Sequence, residues 1–461
     1  MVFKRVATSA QVSAKVLGET LQFRNGKKAQ NRFLKAALTE RLSTFTPENL
    51  PQSGIPTHKI HNLYEKWGNG QFGMILTGNV MVDPVHLEAA GNATIFKKGD
   101  NKERREAFQK WAKSIKADGA LALAQLGHAG RQTPYVVYQT PFSASDVHLT
   151  NSLILGGHGK PIPLTTEQVK TEVIDRFVFA AKFCYESGFD GIQLHAAHGY
   201  LLAQFTSPTT NKRTDQYGGS LENRIRVILE IHEAIRKEIP ASTGFLVGIK
   251  MNSVEFQDKG TTVDDAAEIA KKLEEVGFDF VELSGGTYEK LAFHHLRDST
   301  RKREAFFLEF AQKIRPSFTK TVVYLTGGFR TVQGMVEAIE ENATQGIGLG
   351  RPITAEPDLP KKILSGQVLS ASEPQFKQDD FGATLQASVL QMWQLGSTSL
   401  KEANNDVQFG VTDFSDPSLT DDFYKSLEEL YAELKEIAKT GKPANIAIKF
   451  PRKLLIEINA F

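Results

Sequence analysis

The sequence predicts a (β/α)8 barrel, and three observations carry that prediction. Eight short apolar runs recur between about residues 30 and 365. Each is followed by a loop and then by an amphipathic stretch that ends in glycine. The runs hold few polar positions, as expected of parallel strands covered by helices on their outer face and filled with side chains on the inner one.

Taken in order, AKVLGETLQFRNGKKAQNRF sets two short alternating runs around the pair Asn25-Gly26, which predicts a turn and a hairpin at the barrel floor. The strand candidates are NRFLKAAL, FGMILTGNV, LALAQLGH, FDGIQLHAA, FLVGIKMNS, FDFVELSGG, TVVYLTGGF and TQGIGLGR. Between them lie KERREAFQKWAKSIKADG, TTEQVKTEVIDRFVFAAKFCYESG and TTVDDAAEIAKKLEEVG, whose apolar residues recur at three and four and whose terminal glycines suit a left-handed cap. Eight repeats over this length favour a closed barrel over an open sheet. From about residue 366 the rhythm stops. LQASVLQMWQLG and DDFYKSLEELYAELKEIAKTG read as helices on either side of the polar ANNDVQFGVTDFSDPS. The expected division is a barrel with its N-terminal cap over 1–365 and a mainly helical extension over 366–461.

A chain of 461 residues that is 41% hydrophobic and 23% charged is long enough for a large core, and no apolar run approaches the roughly 20 residues of a membrane span. Lys plus Arg number 55 against 53 for Asp plus Glu, so the net field is weak and offers no electrostatic case for nucleic acid. Function is expected from a local site with a small-molecule substrate; a homo-oligomer is left open. Cys184 is the single cysteine, which excludes an intramolecular disulfide, a multi-cysteine zinc site and a four-thiolate cluster within one chain. Lys4 and Arg5 have no apolar signal region behind them, and the expected compartment is the cytoplasm.

In a barrel of this kind reactive groups sit where the strands end. GFDGIQLHAAHGYLLAQF places His195, His198 and Tyr200 there. As metal ligands the histidines would need a third partner, and their loop has no carboxylate or cysteine at ligand spacing. They could instead be buried rings satisfied by backbone groups, or two neutral N–H donors aimed at one carbonyl oxygen with Tyr200 as an acid in reach. At the ends of strands seven and eight, LTGGFR and GLGRP let the backbone approach a ligand at Gly327, Gly328 and Gly350 and offer Arg330 or Arg351 as a bidentate cation. Tight turns with solvated arginines are the plainer alternative; two such loops at the strands where barrel phosphate sites form favour phosphate.

The run GFDGIQLHAAHGYLLAQFTSPTTNKRTDQYGGSLENRIR resembles, nearly letter for letter, the signature of the old yellow enzyme family of FMN-dependent ene-reductases. QLGHAGR, LTGGFR and GLGRP resemble the same family's flavin motifs, and the likeness spans about residues 30–365. The resemblance implies FMN as cofactor and NADPH or NADH as electron donor. It implies Thr39 near flavin N5 and O4, Gln125 on the pyrimidine edge, and Lys250 beside N1 and O2. Gly327, Gly328, Gly350 and Arg351 would hold the phosphate, and Asn79 in LTGNV is a pocket candidate that could equally be a turn asparagine. His195 and His198 would hold a carbonyl or nitro oxygen, and Tyr200 would protonate the α-carbon as hydride reaches the β-carbon.

The activity implied is reduction of the C=C bond of α,β-unsaturated aldehydes and ketones. Hydride addition pushes charge onto the carbonyl oxygen, so donors fixed there stabilise the transition state more than the ground state. Two other readings stand beside it: an NAD(P)H oxidase or quinone reductase on the same flavin, and a non-catalytic barrel used as a binding scaffold. Lys250 stands where many members have arginine, which keeps the charge and loses the planar fork. Larger relatives with an iron-sulfur cluster and a further dinucleotide domain need cysteines and length that this sequence lacks, so electrons are expected directly from NADPH or NADH. No GxGxxG turn was found that would read the nicotinamide preference.

Overall fold

In the computed structural model, residues 3–8, 12–150, 156–255, 258–285, 308–377, 380–443, 445–446 and 448–450 are described. The strands are β1 Phe33–Lys35, β2 Met74–Met81, β3 Leu121–Gly127, β4 Gly191–Ala196, β5 Leu246–Asn252, β6 Phe280–Ser284, β7 Val322–Thr326 and β8 Gly346–Leu349. Each pairs in parallel with its neighbours in sequence, and β8 pairs with β1 to close an eight-stranded barrel. Seven lie within the apolar runs of the sequence and β2 passes the end of FGMILTGNV by one residue, Met81; only the last glycine of FDFVELSGG, Gly286, lies outside the described residues.

Side-chain alternation explains both layers of the core. Leu34, Met74, Leu76, Leu121, Leu123, Leu246, Phe280, Val322 and Tyr324 point inward at the strand starts. There they meet Leu21 and Ala29 of the antiparallel pair Leu21–Gln22 and Lys28–Ala29, and Phe23 of the segment that joins the two strands. The hairpin expected around Asn25-Gly26 thus plugs the floor, with the rings of Phe23 and Phe280 6.3 Å apart. The opposite parity, including Ile75, Ile192, Val247, Val281, Val323 and Ile347, packs under the helices.

Those helices are α1 His58–Gly68, α2 Lys102–Ile115, α3 Asp175–Glu186, α4 Leu221–Glu238, α5 Val263–Val276, α6 Leu308–Ile314, α7 Val332–Glu340 and α8 Leu359–Leu364. Their starts follow side-chain capping: Asn101, Ser220 and Thr331 accept backbone N–H bonds at α2, α4 and α7, and Thr262 and Asp265 cap α5 reciprocally. One helix differs from the sequence reading. TTEQVKTEVIDRFVF is not one continuous α-helix, because Val169–Ile174 winds as a wider π turn before α3. The extra residue in that turn brings Val169, Val173 and Ile174 together into the core.

After the barrel come α9 Phe381–Gly396 and α10 Pro417–Lys439. Helix α9 lies on the barrel: Trp393 Nε1 donates to the Glu40 carbonyl at 2.9 Å, Asn62 Nδ2 to that of Gly396 at 3.1 Å, and Lys66 Nζ to that of Leu395 at 2.6 Å. Its other side joins α10 in a small core of Ala383, Ala387, Leu390, Phe414, Phe423, Leu427 and Leu430. No helix among the described residues is long and apolar enough to cross a membrane.

Candidate functional site

Strand β4 ends at the histidines. His198 adopts a left-handed backbone, φ 57°, followed by Gly199 at φ 79°, and Tyr200 then starts the short helix Leu201–Thr206. A left-handed conformation at a non-glycine residue costs free energy and is held by its surroundings. Here the His198 N–H donates to Asn252 Oδ1 at 3.1 Å, and His198 Nε2 lies 2.9 Å from Ser284 Oγ, so the ends of β5 and β6 clamp it. The turn brings the three rings together. His195 stands 5.5 Å from His198, edge to face at 89°, and 4.3 Å from Tyr200.

Burial, reinforced by His198 and Lys250, pushes the His195 pKa well below the usual imidazole range. Burial and Lys250 push His198 down to about 3. Both rings are therefore neutral at pH 7. His195 Nδ1 accepts the Ala197 N–H at 3.4 Å, a long bond that leaves the ring proton on Nε2.

A polar chain crosses the barrel interior beneath them. Gln125 Nε2 donates to Gln193 Oε1 at 2.8 Å, and Gln193 Nε2 donates to Glu282 Oε2 at 2.8 Å. Glu282 Oε1 takes Lys250 Nζ at 3.0 Å and the Thr326 hydroxyl at 2.7 Å. On the neighbouring wall Thr39 Oγ1 donates to Glu88 Oε2 at 2.7 Å, and Arg41 Nη2 and Asn92 Nδ2 reach the same carboxylate at 3.1 and 3.2 Å. Burial pushes the Glu88 carboxyl up, yet Arg41 and the Thr39 and Asn92 donors outweigh it and hold the group below the ordinary range. Asn79, opposite Gln125 in the β2–β3 register, keeps a buried Oδ1 with no hydrogen-bond partner among the described residues. Gly127 joins these walls, since a Cβ there would lie 3.7 Å from His195 Cβ and 3.9 Å from Asn79 Oδ1.

The glycine loops sit at the ends of β7 and β8. Gly327 and Gly328 have φ 154° and 87°, so both use conformations that disfavour an L side chain. Gly350 differs: its φ is not positive, and an added Cβ would meet only Leu38 Cδ2, at an ordinary 3.7 Å. Arg330 Nη1 donates to the Ser372 carbonyl at 3.0 Å, and Arg351 Nη1 to Thr384 Oγ1 at 3.0 Å.

The structure thus gathers His195, His198 and Tyr200 on one turn, joins Gln125 and Lys250 through one chain, and sets Thr39 and Asn79 at the shared carboxylate of Glu88. It adds Gln193, Glu282, Ser284, Glu88 and Thr384, which the sequence reading missed. Gln193 stands two before the candidate His195 on β4, so period-two parity was a usable signal for it. Glu88 and Thr384 carry no local signal, because each acts on a residue 49 and 33 positions away.

Among the described residues, Asp83, His86 and His128 have ligand atoms within 4.8 Å of one another, the spacing of a metal site. Three of their four ring nitrogens are already engaged. His86 Nδ1 lies 2.8 Å from Asp83 Oδ1 and its Nε2 accepts the Phe142 N–H at 3.0 Å, while His128 Nδ1 accepts the Gly130 N–H at 3.0 Å. Asp83 also pairs with Arg176, and the two imidazoles stack at 4.4 Å. The group braces the loops after β2 and β3.

Residues 17–369 match the model of the NADH:flavin oxidoreductase / NADH oxidase family. The chain is 46% identical over 388 residues to the NADH-dependent flavin oxidoreductase nadA of Aspergillus parasiticus, covering 83% of this chain and 86% of that protein. It is 32% identical over 290 residues to the NADPH dehydrogenase of Bacillus velezensis, covering 62% and 77%. The old yellow enzyme from Trypanosoma cruzi superposes with a TM-score of 0.65 at 19% identity, covering 77% of this chain and 94% of that one, a likeness of fold. With a match that runs from ahead of the hairpin to beyond β8, the chain is an NAD(P)H-dependent FMN oxidoreductase and belongs to the NADH:flavin oxidoreductase / NADH oxidase family, that of old yellow enzyme.

Proposed function

We propose that this oxidoreductase reduces the activated C=C bond of α,β-unsaturated carbonyl compounds. The observation that carries the reading is the neutral pair His195 and His198 on one strained turn, with the Tyr200 ring 4.3 Å from that of His195. Two neutral N–H donors suit an oxygen on which negative charge grows, and a tyrosine hydroxyl beside them suits proton delivery to carbon. FMN, when bound, would supply the hydride chemistry, with NADPH or NADH as the electron donor.

The residues present fit that cofactor. The orphaned Asn79 Oδ1 and the steric openness at Gly350 are features the described chain does not itself explain, and each suits a ligand lying against it. Gln125 gives its amide N–H to Gln193 and so presents its carbonyl oxygen, the acceptor an imide N–H of the flavin edge requires. Lys250 keeps a positive charge at the position of the family's arginine but shares it with Glu282. Thr39 and Asn79 would line the same ring system, and Gly327, Gly328, Gly350 and Arg351 would receive the phosphate. In this reading residues 1–365 form the catalytic barrel and 366–461 an extension that braces it, with a small-molecule substrate and a cytoplasmic setting.

The test is anaerobic spectroscopy of the purified protein. A flavin spectrum should bleach with NADPH or NADH and return on adding cyclohexenone. Tyr200→Phe should slow that return by about a hundredfold while leaving flavin bleaching within about twofold, the range expected for losing a general acid alone. Return with oxygen or a quinone but not with the enone would assign the oxidase or quinone reductase reading instead. Equal loss of both half-reactions in Tyr200→Phe would remove the tyrosine from the acid role.

A further inference from the structure

The extension reaches the phosphate end of the barrel through one face of α9. Thr384, Ser388 and Gln391 stand four and three residues apart, so they share a side of the helix. Two of them bond the segment that follows β8: Thr384 Oγ1 accepts from Arg351 Nη1 at 3.0 Å, and Gln391 Oε1 accepts from Thr354 Oγ1 at 2.6 Å. Ser388 faces the same small cavity of about 40 Å³, which Arg330, Arg351, Ser372 and Phe414 also line. The contact is therefore a fitted one, made where GLGRP leaves the barrel, and it engages the cation of that loop.

An arginine that grips an anion must first give up the freedom of a long, flexible side chain. A partner that fixes one nitrogen beforehand removes part of that cost and so tightens binding. A hydroxyl does this without offsetting the positive charge, which a carboxylate in the same place would do. Thr384 holds one Nη of Arg351 in this way, through a neutral acceptor.

We propose that Thr384 is a positioning residue for the cofactor phosphate, so that the C-terminal extension, through Arg351, pre-orients the group that receives the phosphate of FMN. The proposal rests on the flavin site described above. Its measurable signature is discrimination between FMN and riboflavin, which share the ring system and differ in the phosphate.

Flavin fluorescence titrations of the full chain, stripped of cofactor, give both dissociation constants. Thr384→Val keeps the shape and removes the acceptor; it should weaken FMN about tenfold, the weight of one charge-assisted hydrogen bond, and leave riboflavin within about twofold. Thr384→Ser should restore FMN binding. In an Arg351→Ala background, Thr384→Val should add nothing, because a residue that acts only through Arg351 has nothing left to position. Equal weakening of both flavins would make Thr384 a packing residue, unchanged FMN binding would make the contact idle, and an additive loss in Arg351→Ala would break the link to Arg351; each overturns the proposal. A wild-type chain that binds neither flavin overturns the flavin site and this inference together, whereas one that binds FMN with Thr384→Val unaffected overturns this inference alone.

Discussion

Two ring nitrogens decide what the histidine pair can do. In His195 the Ala197 N–H occupies Nδ1, so Nε2 is the donor. In His198 the choice falls to Ser284, whose hydroxyl meets Nε2 at 2.9 Å. If Ser284 donates, Nε2 is an acceptor and the ring proton sits on Nδ1, which gives a second donor for a substrate oxygen; if it accepts, the order reverses. The proposed reaction needs the first arrangement. Ser284→Ala removes that control and should weaken phenol-like ligands, which place an oxyanion at the pair, by about three- to tenfold, the weight of one hydrogen bond. Titration of the flavin spectrum with such a phenol measures the change. An unaltered affinity would mean that the His198 tautomer is set elsewhere.

At the scale of strands, Lys250 of β5 and Glu282 of β6 are register partners, both buried, and their ion pair fastens two staves of the barrel at the site. Removing one charge strands the other away from water. Lys250→Met should therefore cost about 3–5 kcal/mol in urea unfolding. Lys250→Arg should cost far less, and adding Glu282→Gln to Lys250→Met should recover part of the loss, because the orphaned charge is gone although Gln193 must re-pair. A single-variant cost below about 1 kcal/mol would show that water or another cation reaches Glu282. The strands themselves were legible in the sequence because burial on both faces writes an apolar run, and Asn25-Gly26 marked the floor hairpin because a tight turn demands those residue types. His195, His198 and Tyr200 were legible because they stand at a strand end, His195 on its last pleat and the other two just beyond it. Glu88, Ser284 and Thr384 were not, since the hydrogen bonds that give them meaning join distant segments that only the closed barrel brings together. The π turn at Val169–Ile174 was hidden for a different reason: its apolar spacing stays close enough to an α-helix to read as one.

Over the whole molecule, burial of histidines sets the response to acid. His61 on α1 and His232 on α4 are each pushed down to about 4 by burial, His198 to about 3, His128 and His195 well below the usual range, and His158 below it as well. Unfolding returns all of them to a pKa near 6.5. Below that value the unfolded chain binds more protons than the folded one, so stability falls as pH drops from about 6.5 toward these depressed values. Each histidine adds a slope that rises toward about 1.4 kcal/mol per pH unit within the window. Burial raises the carboxyls of Glu40, Asp118 and Asp279, which take up protons earlier in the folded state and offset part of the loss. Six depressed imidazoles against three raised carboxyls leave the slope positive, so the urea midpoint should fall steadily from pH 7 to pH 5. His232 makes the test specific, because it lies against Phe278 on the outer layer, with ring centroids 4.3 Å apart, away from the three rings at the end of β4. His232→Gln should flatten the profile by one histidine's share while leaving flavin binding at pH 7 unchanged. A flat wild-type profile between pH 7 and 5 would mean that the buried imidazoles gain protons without unfolding. If the slope is present, loss of activity near pH 5 tracks loss of the folded state, because His198, down at about 3, does not itself titrate in that range.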